Sequence, residues 1–520
     1  MPQKVNVNEV RAMSNVLVID VGTQSMRGII FDDKGTLLAK HKIKYPPYVC
    51  EQNGYVEQDV DMYWEVLCRI TNALANDYPH LMDSVVGMTI DTFRDTSVLL
   101  DENNRPVRRA IIWSDQREAD TSKKLPLFQR VAFSLAGVSR SVEAIRRKIK
   151  TSWVKQNEPQ TWSKVRKVVL ISAYLNYKVT GVLTDSVAST LGHLPFDFKR
   201  RRWLKKHELT FPVYDLPLDM MVPVLQPGEV IGKVTQSACM QSGIKQGLTV
   251  YAVGSDKGCE TLGVGALGEN VASVSFGTSC SVQLTTKKYF EPEPLMPAYP
   301  AVLKDYYNPE VQIFRGYWTV QWFIDNFAQD LVAKAQAEGG CAEDYLNEEI
   351  KGIPVGCDGL VLQPFWQAGL TNPEAKGAII GFSDCHTRAH MYRAIVEGLD
   401  FALREGLERM ERRGHHKITA IAISGGGSQS DVLCQIAANV FNRPVRRVQT
   451  YETSGLGAAI ATFTACGVFS DVTDAVSSMV HYTDEFLPDP NAAKVYDDIY
   501  KNVYLKMYSN LEKIYRHIYK

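Results

Sequence analysis

The chain has 520 residues, 45% of them hydrophobic and 22% charged, and this balance excludes a largely disordered protein. The 58 Lys and Arg residues equal the 58 Asp and Glu residues in number, so no broad basic field favours nucleic acid as a partner. Ten cysteines without a C-x-x-C pair predict reduced thiols and a cytoplasmic protein. The length fits two large domains, or three to four of ordinary size.

Two segments bear on export and on membranes. Residues 1–15 carry charged side chains but no apolar stretch of the kind that a signal peptide needs, so we expect no export signal. Residues 453–470 are uncharged, but they are rich in Gly, Ser and Thr and barely long enough to span a bilayer. They predict a buried helix and no membrane partner.

The first element in the chain is a hairpin with an acid at its turn. Asp20 ends the β-rich run 16–20, and the turn 22–25 leads into a second apolar run at 28–31. A carboxylate beside a glycine turn, whose backbone N–H groups can face phosphate oxygens, is typical of a phosphate-binding loop. Plain hairpins show the same pattern, so an ordinary turn remains the alternative.

Polar clusters follow two further strand-like runs. The runs end near Ile90 and Trp113. The polar or aromatic residues at or just after these two ends are Asp91, Arg94, Asp95, Trp113, Asp115 and Arg117. Carboxylates, guanidinium groups and an aromatic face together suit a ligand rich in hydroxyl groups, whereas surface ion pairs are the simpler interpretation. Residues 141–180 then have charged and aromatic side chains at helical spacing and predict a helical region.

Asp256 follows the apolar strand predicted at 248–253 and begins a predicted helix. The carboxyl end of a strand is where open α/β sheets bind ligands, although a helix N-cap is the commoner role of such an acid. Residues 263–268 then match the dinucleotide fingerprint G-x-G-x-x-G. We reject a dinucleotide site, because these glycines end a helix and lead into a strand instead of following a strand and opening a helix.

A second hairpin repeats the design of the first about half a chain later. A strand at 271–276 leads into Gly277 and Thr278 and then into a second strand at 281–284, which predicts two domains of like topology. Further on, the turn Gly425–Ser428 lies between a strand and a helix predicted at 431–441. Three glycines permit close approach of the backbone to a ligand, and a purely structural turn is the alternative.

Taken in order, these pieces resemble the FGGY family of carbohydrate kinases. Lys150–Asn157, Gly377–Gly381 and His390–Glu397 are similar to the family's signature segments, with departures at Thr151 and Phe382, and the resemblance runs from about residue 16 to 470. It implies an α/β fold of two actin-like ribonuclease-H-type domains with a central cleft. Residues 1–265 would mainly bind the sugar and residues 266–520 mainly ATP.

The resemblance also implies an activity. The protein would use ATP and Mg²⁺ to phosphorylate a hydroxyl group of a small sugar or polyol, of pentulose, tetritol, pentitol or glycerol type. A catalytically silent sensor of sugar and ATP on the same fold is the alternative, and a homodimer is a family expectation.

Site residues follow from the same resemblance. Asp256 would be the catalytic base and, with Asp20, would hold Mg²⁺. The expected substrate contacts are Arg94, Asp95, Trp113, Asp115 and Asp256, and the expected ATP contacts are Gly22, Thr23, Gln24, Ser25, Gly277, Thr278, Gly425, Gly426, Gly427 and Ser428.

The pair Arg94–Asp95 and the single residue Lys257 depart from the family in ways that bear on the acceptor. Arg94 and Asp95 stand where the pentulose kinases carry Met-His, and they resemble the Arg-Glu pair of the glycerol and autoinducer-2 kinases. Lys257 replaces a residue that is commonly a neutral amide. Its charge would orient Asp256, meet an anionic substrate or point to solvent.

Overall fold

The computed structural model describes residues 14–293, 295–367, 369, 372 and 374–518. Most of the N-terminal stretch in which we expect no export signal therefore lies outside the described residues. The chain forms two compact units. The first contains the described residues up to Gly263 with Tyr299–Tyr307 and Glu452–Val480, and the second contains Val264–Ala298, Asn308–Tyr451 and the described residues from His481 onward. The domain limits 1–265 and 266–520, with their ligands, stay a prediction.

The first unit is built on a six-stranded sheet with the strand order β5-β6-β4-β1-β2-β3. Its strands are β1 (Asn15–Val21), β2 (Ser25–Asp32), β3 (Leu37–Lys44), β4 (Val85–Thr92), β5 (Val230–Lys233) and β6 (Thr249–Tyr251). Strand β4 runs parallel to both β1 and β6, and the remaining pairs are antiparallel.

The second unit contains a sheet of the same design, with the order β9-β8-β7-β10-β11-β12. Its strands are β7 (Val271–Phe276), β8 (Cys280–Gln283), β9 (Glu310–Ile313), β10 (Ala420–Ser424), β11 (Val445–Val448) and β12 (Tyr482–Phe486). Strand β10 is parallel to β7 and β11, and the other pairs are antiparallel. The two sheets share the pattern of strand directions and the chain order of their first four strands, and they differ in that the edge strand β5 precedes β6 whereas β12 follows β11. This likeness confirms the predicted repeat and the α/β class.

Helices pack on these sheets. Those that bear on the site are α1 (Val60–Asp77), α2 (Asp256–Gly263), α3 (Trp318–Phe327), α4 (Arg388–Gly414), α5 (Asp431–Phe441) and α6 (Thr453–Ala465). Other helices of the first unit are Pro79–Asp83, Leu127–Leu135, Ser139–Lys148, Lys150–Asn157, Pro159–Trp162, Ile171–Thr180, Gln236–Ser242 and Val472–Met479. Those of the second unit include Gln329–Glu338, Ala342–Glu349, Pro490–Ile499 and Leu505–Ile518.

The predicted helical region 141–180 is interrupted by a strand. Lys167–Leu170 pairs antiparallel with Ser97–Leu100 in a small four-stranded sheet that also contains Glu57–Gln58 and Ala110–Ile111. Val168 and Val169 are β-branched and buried in this pairing, so tertiary contacts override the helical spacing of the segment. The predicted helical region thus forms over most of its length, as the helices Ser139–Lys148, Lys150–Asn157, Pro159–Trp162 and Ile171–Thr180, and only the strand at Lys167–Leu170 departs from the prediction.

Strand β1 is buried on both faces, which explains its continuous apolar sequence. Leu17 and Ile19 pack in one core with residues of α1, whereas Val16 and Val18 pack in another core with residues of α6. Because successive side chains point to opposite faces of a strand, Asp20 lies on the α6 face.

Helix packing explains the first glycine of the fingerprint at 263–268. Helix α2 ends at Gly263 and β7 begins at Val271, as the sequence predicts. A Cβ at Gly263 would overlap the carbonyl oxygen of Thr453, and one at Gly457 would overlap that of Cys259. These glycines let α2 and α6 cross closely.

In the part of the chain that the structure describes, no helix combines the length and the apolar character needed to cross a bilayer. The uncharged stretch at 453–470 forms the buried helix α6, as predicted. None of the ten cysteines, all of which fall among the described residues, forms a disulfide.

Candidate active site

Three carboxylates lie at the carboxyl edge of the first sheet. Asp20 and Asp91 are the penultimate residues of the neighbouring parallel strands β1 and β4, and their Cα atoms are direct partners in the ladder. Asp256 begins α2, four residues after Ala252, which directly follows β6. Ser255, which precedes Asp256, forms a parallel β-bridge with Thr92 at the end of β4. The fold thus brings together two of the predicted residues and adds Asp91.

Asp20 has one guanidinium partner. The Nη1 atom of Arg27 donates to Oδ2 of Asp20 at 3.0 Å, and Nε of the same Arg27 lies 3.2 Å from Oε2 of Glu452. Burial raises the pKa of Asp20 to about 6 against the attraction of Arg27, and the charges of Asp256 and Glu452 add to the rise. A further positive charge beside Asp20 would therefore stabilise its ionised carboxylate.

Asp91 is fully buried, and neither of its carboxylate oxygens has a hydrogen-bond partner. Burial raises the pKa of Asp91 well above its usual value, and the charges of Asp20 and Asp256 raise it further. In the sequence, Asp91 belongs to a polar cluster and has no predicted role of its own. Its position one residue before the end of an apolar strand, as in Asp20, is the signal that points to it.

Asp256 is half-buried, and its Oδ1 accepts the backbone N–H of Lys257 at 2.7 Å. Burial raises the pKa of Asp256, while Arg94 and Lys257 counteract the rise. The Nζ atom of Lys257 lies 2.7 Å from Oε2 of Glu260. Lys257 thus forms an ion pair within α2 and also stabilises the charged form of the neighbouring carboxylate.

Arg94 and Asp95 follow β4 and have different surroundings. Nε of Arg94 donates to Oγ of Ser255 at 3.2 Å, and the guanidinium carbon lies 5.1 Å from the ring centroid of Tyr299. Asp95 has a left-handed backbone with φ of 55°. Its Oδ2 lies 2.8 Å from Nδ1 of His193, whose backbone N–H donates to Oδ1 at 3.0 Å. Arg94 is therefore beside the Asp256 segment, and Asp95 is directed to His193.

Trp113 and Asp115 also differ in their exposure and in their hydrogen-bond partners. The indole of Trp113 is 36% exposed and donates from Nε1 to Oγ1 of Thr23 at 3.2 Å. The Asp115 side chain is 0% exposed; it accepts from Nε of Arg117 at 2.9 Å and from the backbone N–H of Val56 at 2.6 Å. Trp113 offers an open aromatic face, whereas protein donors already occupy the carboxylate of Asp115.

The turn after β1 is held by tyrosines. The backbone N–H of Gly22 donates to the carbonyl of Ser25 at 3.0 Å, which closes the turn. The hydroxyl of Tyr48 donates to the Thr23 carbonyl at 2.9 Å, and the backbone N–H of Tyr45 donates to the Gln24 carbonyl at 3.0 Å. These contacts fix the turn beside Asp20.

In the second unit, two turns follow the adjacent parallel strands β7 and β10 and meet. The carbonyls of Gly277 and Thr278 accept the backbone N–H groups of Tyr317 at 3.0 Å and Trp318 at 3.2 Å, at the start of α3. Gly425 has φ of 84°, and a Cβ there would lie 2.6 Å from the carbonyl oxygen of Phe276. The predicted nucleotide loops of this unit therefore form one cluster.

The members of the glycine turn have separate roles. A Cβ at Gly427 would lie 2.6 Å from the Tyr317 ring, which stacks on Phe276 with centroids 5.1 Å apart. Gly426 is exposed and has open space at the Cβ position. Ser428 is buried and donates from Oγ to the Gly425 carbonyl at 2.7 Å, so its hydroxyl closes the turn. Gly426 is the member that leaves most room for a ligand.

Within the described ranges, no three His, Cys, Asp or Glu side chains converge closely enough to hold a metal ion. The carboxyl edge of the first sheet nevertheless fits Mg²⁺ in its chemistry. Asp91 supplies buried oxygens without partners, and Mg²⁺ prefers carboxylate oxygens, keeps several waters and commonly uses one or two carboxylates.

The two repeated sheets with their packed helices have the α/β architecture of the actin-like ATPase fold. The N-terminal domain of the FGGY family of carbohydrate kinases matches residues 15–263, and the C-terminal domain of the same family matches residues 272–466. The chain therefore belongs to the FGGY family. It is a carbohydrate kinase, which transfers a phosphoryl group from ATP to a hydroxyl of a sugar or polyol.

Relatives and solved structures of carbohydrate kinases are similar to this chain over nearly its whole length. The uncharacterised sugar kinase YgcE of Escherichia coli is 28% identical, with 97% of this chain and 95% of the relative covered. The xylulose kinase of Lactococcus lactis is 26% identical, with 96% and 98% covered. The xylulose kinase structure from Rhodospirillum rubrum has a TM-score of 0.81 at 22% identity, with 97% and 100% covered. The gluconate kinase structure from Lactobacillus acidophilus has a TM-score of 0.82 at 20% identity, with 98% and 100% covered.

Proposed function

We propose that this kinase phosphorylates a small open-chain sugar or polyol, with Asp256 as the catalytic base. The observation that carries the proposal is the place of Asp256 at the carboxyl end of the first sheet, half-buried and beside Arg94. Relatives named xylulose kinase, glycerol kinase and gluconokinase match at least 88% of the chain, and their names span acceptors of this size.

Asp256 would accept the proton of the acceptor hydroxyl. Burial raises its pKa and thereby strengthens it as a base, while the positive charges of Arg94 and Lys257 oppose that rise. Proton loss can lag behind phosphoryl transfer, so the carboxylate needs no large shift of its pKa.

Arg94 and Trp113 are the acceptor contacts that the geometry supports best. The guanidinium of Arg94 lies beside the Asp256 segment, where arginine can donate to hydroxyl oxygens, and the partly exposed indole of Trp113 suits the C–H groups of a sugar. Asp95 would contact the acceptor together with His193, whereas Asp115 would act by holding Arg117.

The residues 1–265 are proposed to bind mainly the acceptor and the residues 266–520 mainly ATP. Gly277, Thr278 and the turn Gly425–Ser428 would form the ATP site of the second unit, and the turn Gly22–Ser25 would add backbone donors for phosphate. Asp20 and Asp256 would hold Mg²⁺, which when bound neutralises charge on the phosphates. We further propose a cytoplasmic homodimer, which size-exclusion chromatography with light scattering tests.

The test is ADP release by the purified protein with Mg·ATP against ketopentoses, pentitols, tetritols, glycerol and aldonic acids. We expect one acceptor class to stimulate turnover and Asp256→Asn to lower kcat by about 100- to 10000-fold, with ATP binding retained. Asp185→Asn is the matched control, because Asp185 is equally an aspartate of the first unit but is buried and has its own hydrogen bond from Ser172. Full turnover by Asp256→Asn would contradict the proposed base; binding of sugar and ATP without turnover would favour the sensor.

A further inference from the structure

Asp91 is an ionisable group for which the fold gives no compensating partner. It is fully buried, and both of its carboxylate oxygens lack a hydrogen-bond partner. Met88 and Ile90 of the same strand face the α1 core, so Asp91 faces the opposite side, as Asp20 does. Two carboxylates therefore stand side by side on one face of the sheet.

The positive charge at this edge is already engaged. Arg27 pairs with Asp20 and lies within ion-pair distance of Glu452, and among the groups that shift the pKa of Asp91 it is the one cation and the smallest influence. A buried carboxylate without a partner is strongly disfavoured unless it is neutralised or binds a cation. The surroundings of Asp91 therefore favour an additional cation.

The sheet design does not itself require these acids. The ladder position of Asp20 and Asp91 in the first sheet is occupied in the second sheet by Ser275 and Ser424, which are also direct Cα partners. Two buried hydroxyls thus support the same strand pairing. The carboxylate pair is a feature of the first unit's chemistry.

We propose that Asp91 is a carboxylate ligand of the divalent cation at this edge, directly or through water, in partnership with Asp20. The inference rests on the proposed function for the place of the cation, and it adds a residue that the family resemblance does not supply. An ion that keeps several of its waters and contacts some of these carboxylates only through water does not need three converging side chains, and none is found among the described residues.

Mn²⁺ binding measured by electron paramagnetic resonance tests the proposal without turnover. The full-length protein is titrated with Mn²⁺ alone and again with ADP present. Asp91→Asn should weaken Mn²⁺ binding about tenfold or more. Unchanged Mn²⁺ affinity in Asp91→Asn, or no Mn²⁺ binding by the wild type under both conditions, would overturn the proposal.

Asp185→Asn is the matched control, because Asp185 is also a buried aspartate of the first unit but accepts hydrogen bonds from Ser172 and Ser186. It should bind Mn²⁺ within about twofold of the wild type. If Asp91→Asn fails to fold, Asp91→Ser is the second variant, because Ser424 shows that this ladder position accepts serine.

Thermal unfolding supplies a second readout. With EDTA, Asp91→Asn should melt at or above the wild-type temperature because it removes an unpaired buried carboxylate, and Mg²⁺ should raise the melting temperature of the wild type more than that of the variant. A variant that melts lower in EDTA and gains as much from Mg²⁺ would show a structural role and overturn the proposal. Neither measurement needs an acceptor, so a failed acceptor panel would count against the proposed function alone.

Discussion

The two six-stranded sheets have the same pattern of strand directions, but their carboxyl edges carry different groups. The first presents Asp20, Asp91 and Asp256, whereas the second presents Ser275 and Ser424 beside the glycine turn at 425–428. One edge is anionic and suits a cation and a base; the other is neutral and open and suits an anionic nucleotide. On the proposed function, one backbone design would therefore serve two ligand chemistries, set by a few strand-end side chains.

Making the first edge like the second should have the largest effect. Asp20→Ser removes a carboxylate from the proposed cation site, and we expect kcat to fall by about 100- to 1000-fold. Steady-state kinetics with the best acceptor measures this change. Asp185→Asn provides the control for replacement of a buried aspartate, and near-normal turnover in Asp20→Ser would break the proposed division between the edges.

Making the second edge like the first should impair nucleotide binding. Ser275→Asp places a carboxylate in a buried position beside Gly277 and the glycine turn, where it would repel phosphates. We expect ADP affinity, measured by calorimetry, to fall about 10- to 100-fold. Ser275→Asn has a similar size without the charge, and an equal loss in that variant would attribute the effect to packing.

The glycine turn allows a sharper comparison within the second edge. Gly425 has φ of 84°, and its Cβ would lie 2.6 Å from the Phe276 carbonyl oxygen, so Gly425→Ala should cost about 1–3 kcal/mol in backbone strain. We expect about tenfold weaker ADP binding and a lower melting temperature. Gly426→Ala meets no atom within 4 Å and should melt with the wild type. Equal destabilisation by both substitutions would contradict this account.

The pH dependence of stability should be the smallest effect. Burial raises the pKa of Asp20 to about 6, from about 3.9 in an unfolded chain. A raised pKa means that the folded state binds the proton more tightly, so this stabilisation is present at low pH and is lost as the pH rises through about 6. In EDTA, the wild type should lose about 1 kcal/mol more than Asp20→Asn between pH 5 and pH 7. Urea unfolding at the two pH values tests this, and parallel behaviour of both proteins would contradict it.

The sequence predicts those features that depend on neighbouring residues. The apolar run before Asp20, the turn at 22–25 and the strand before Gly425 all form as expected, because local alternation and glycine turns determine them. The two domains of like topology follow from the repeated hairpin. These local patterns were sufficient for the fold class.

Features that depend on long-range register could not be predicted in this way. Asp91 is a partner of Asp20 only because β4 pairs in parallel with β1, and Tyr299 reaches Arg94 only because the segment Tyr299–Tyr307 joins the first unit. The backbone N–H of Val56 reaches Asp115 across 59 positions of sequence, and this contact likewise depends on the tertiary fold. Burial and register, which decide the charge of such groups, are properties of the tertiary structure.

The central claim is that the carboxyl edge of the first sheet serves the cation and that of the second sheet serves the nucleotide. Calorimetry of ADP binding to the wild type and to Asp20→Ser, in EDTA and in Mg²⁺, tests this claim most directly. We expect equal ADP affinity of the two proteins in EDTA, and a gain in affinity with Mg²⁺ that is confined to the wild type. A loss of ADP affinity by Asp20→Ser already in EDTA, or an equal gain with Mg²⁺ in both proteins, would contradict it.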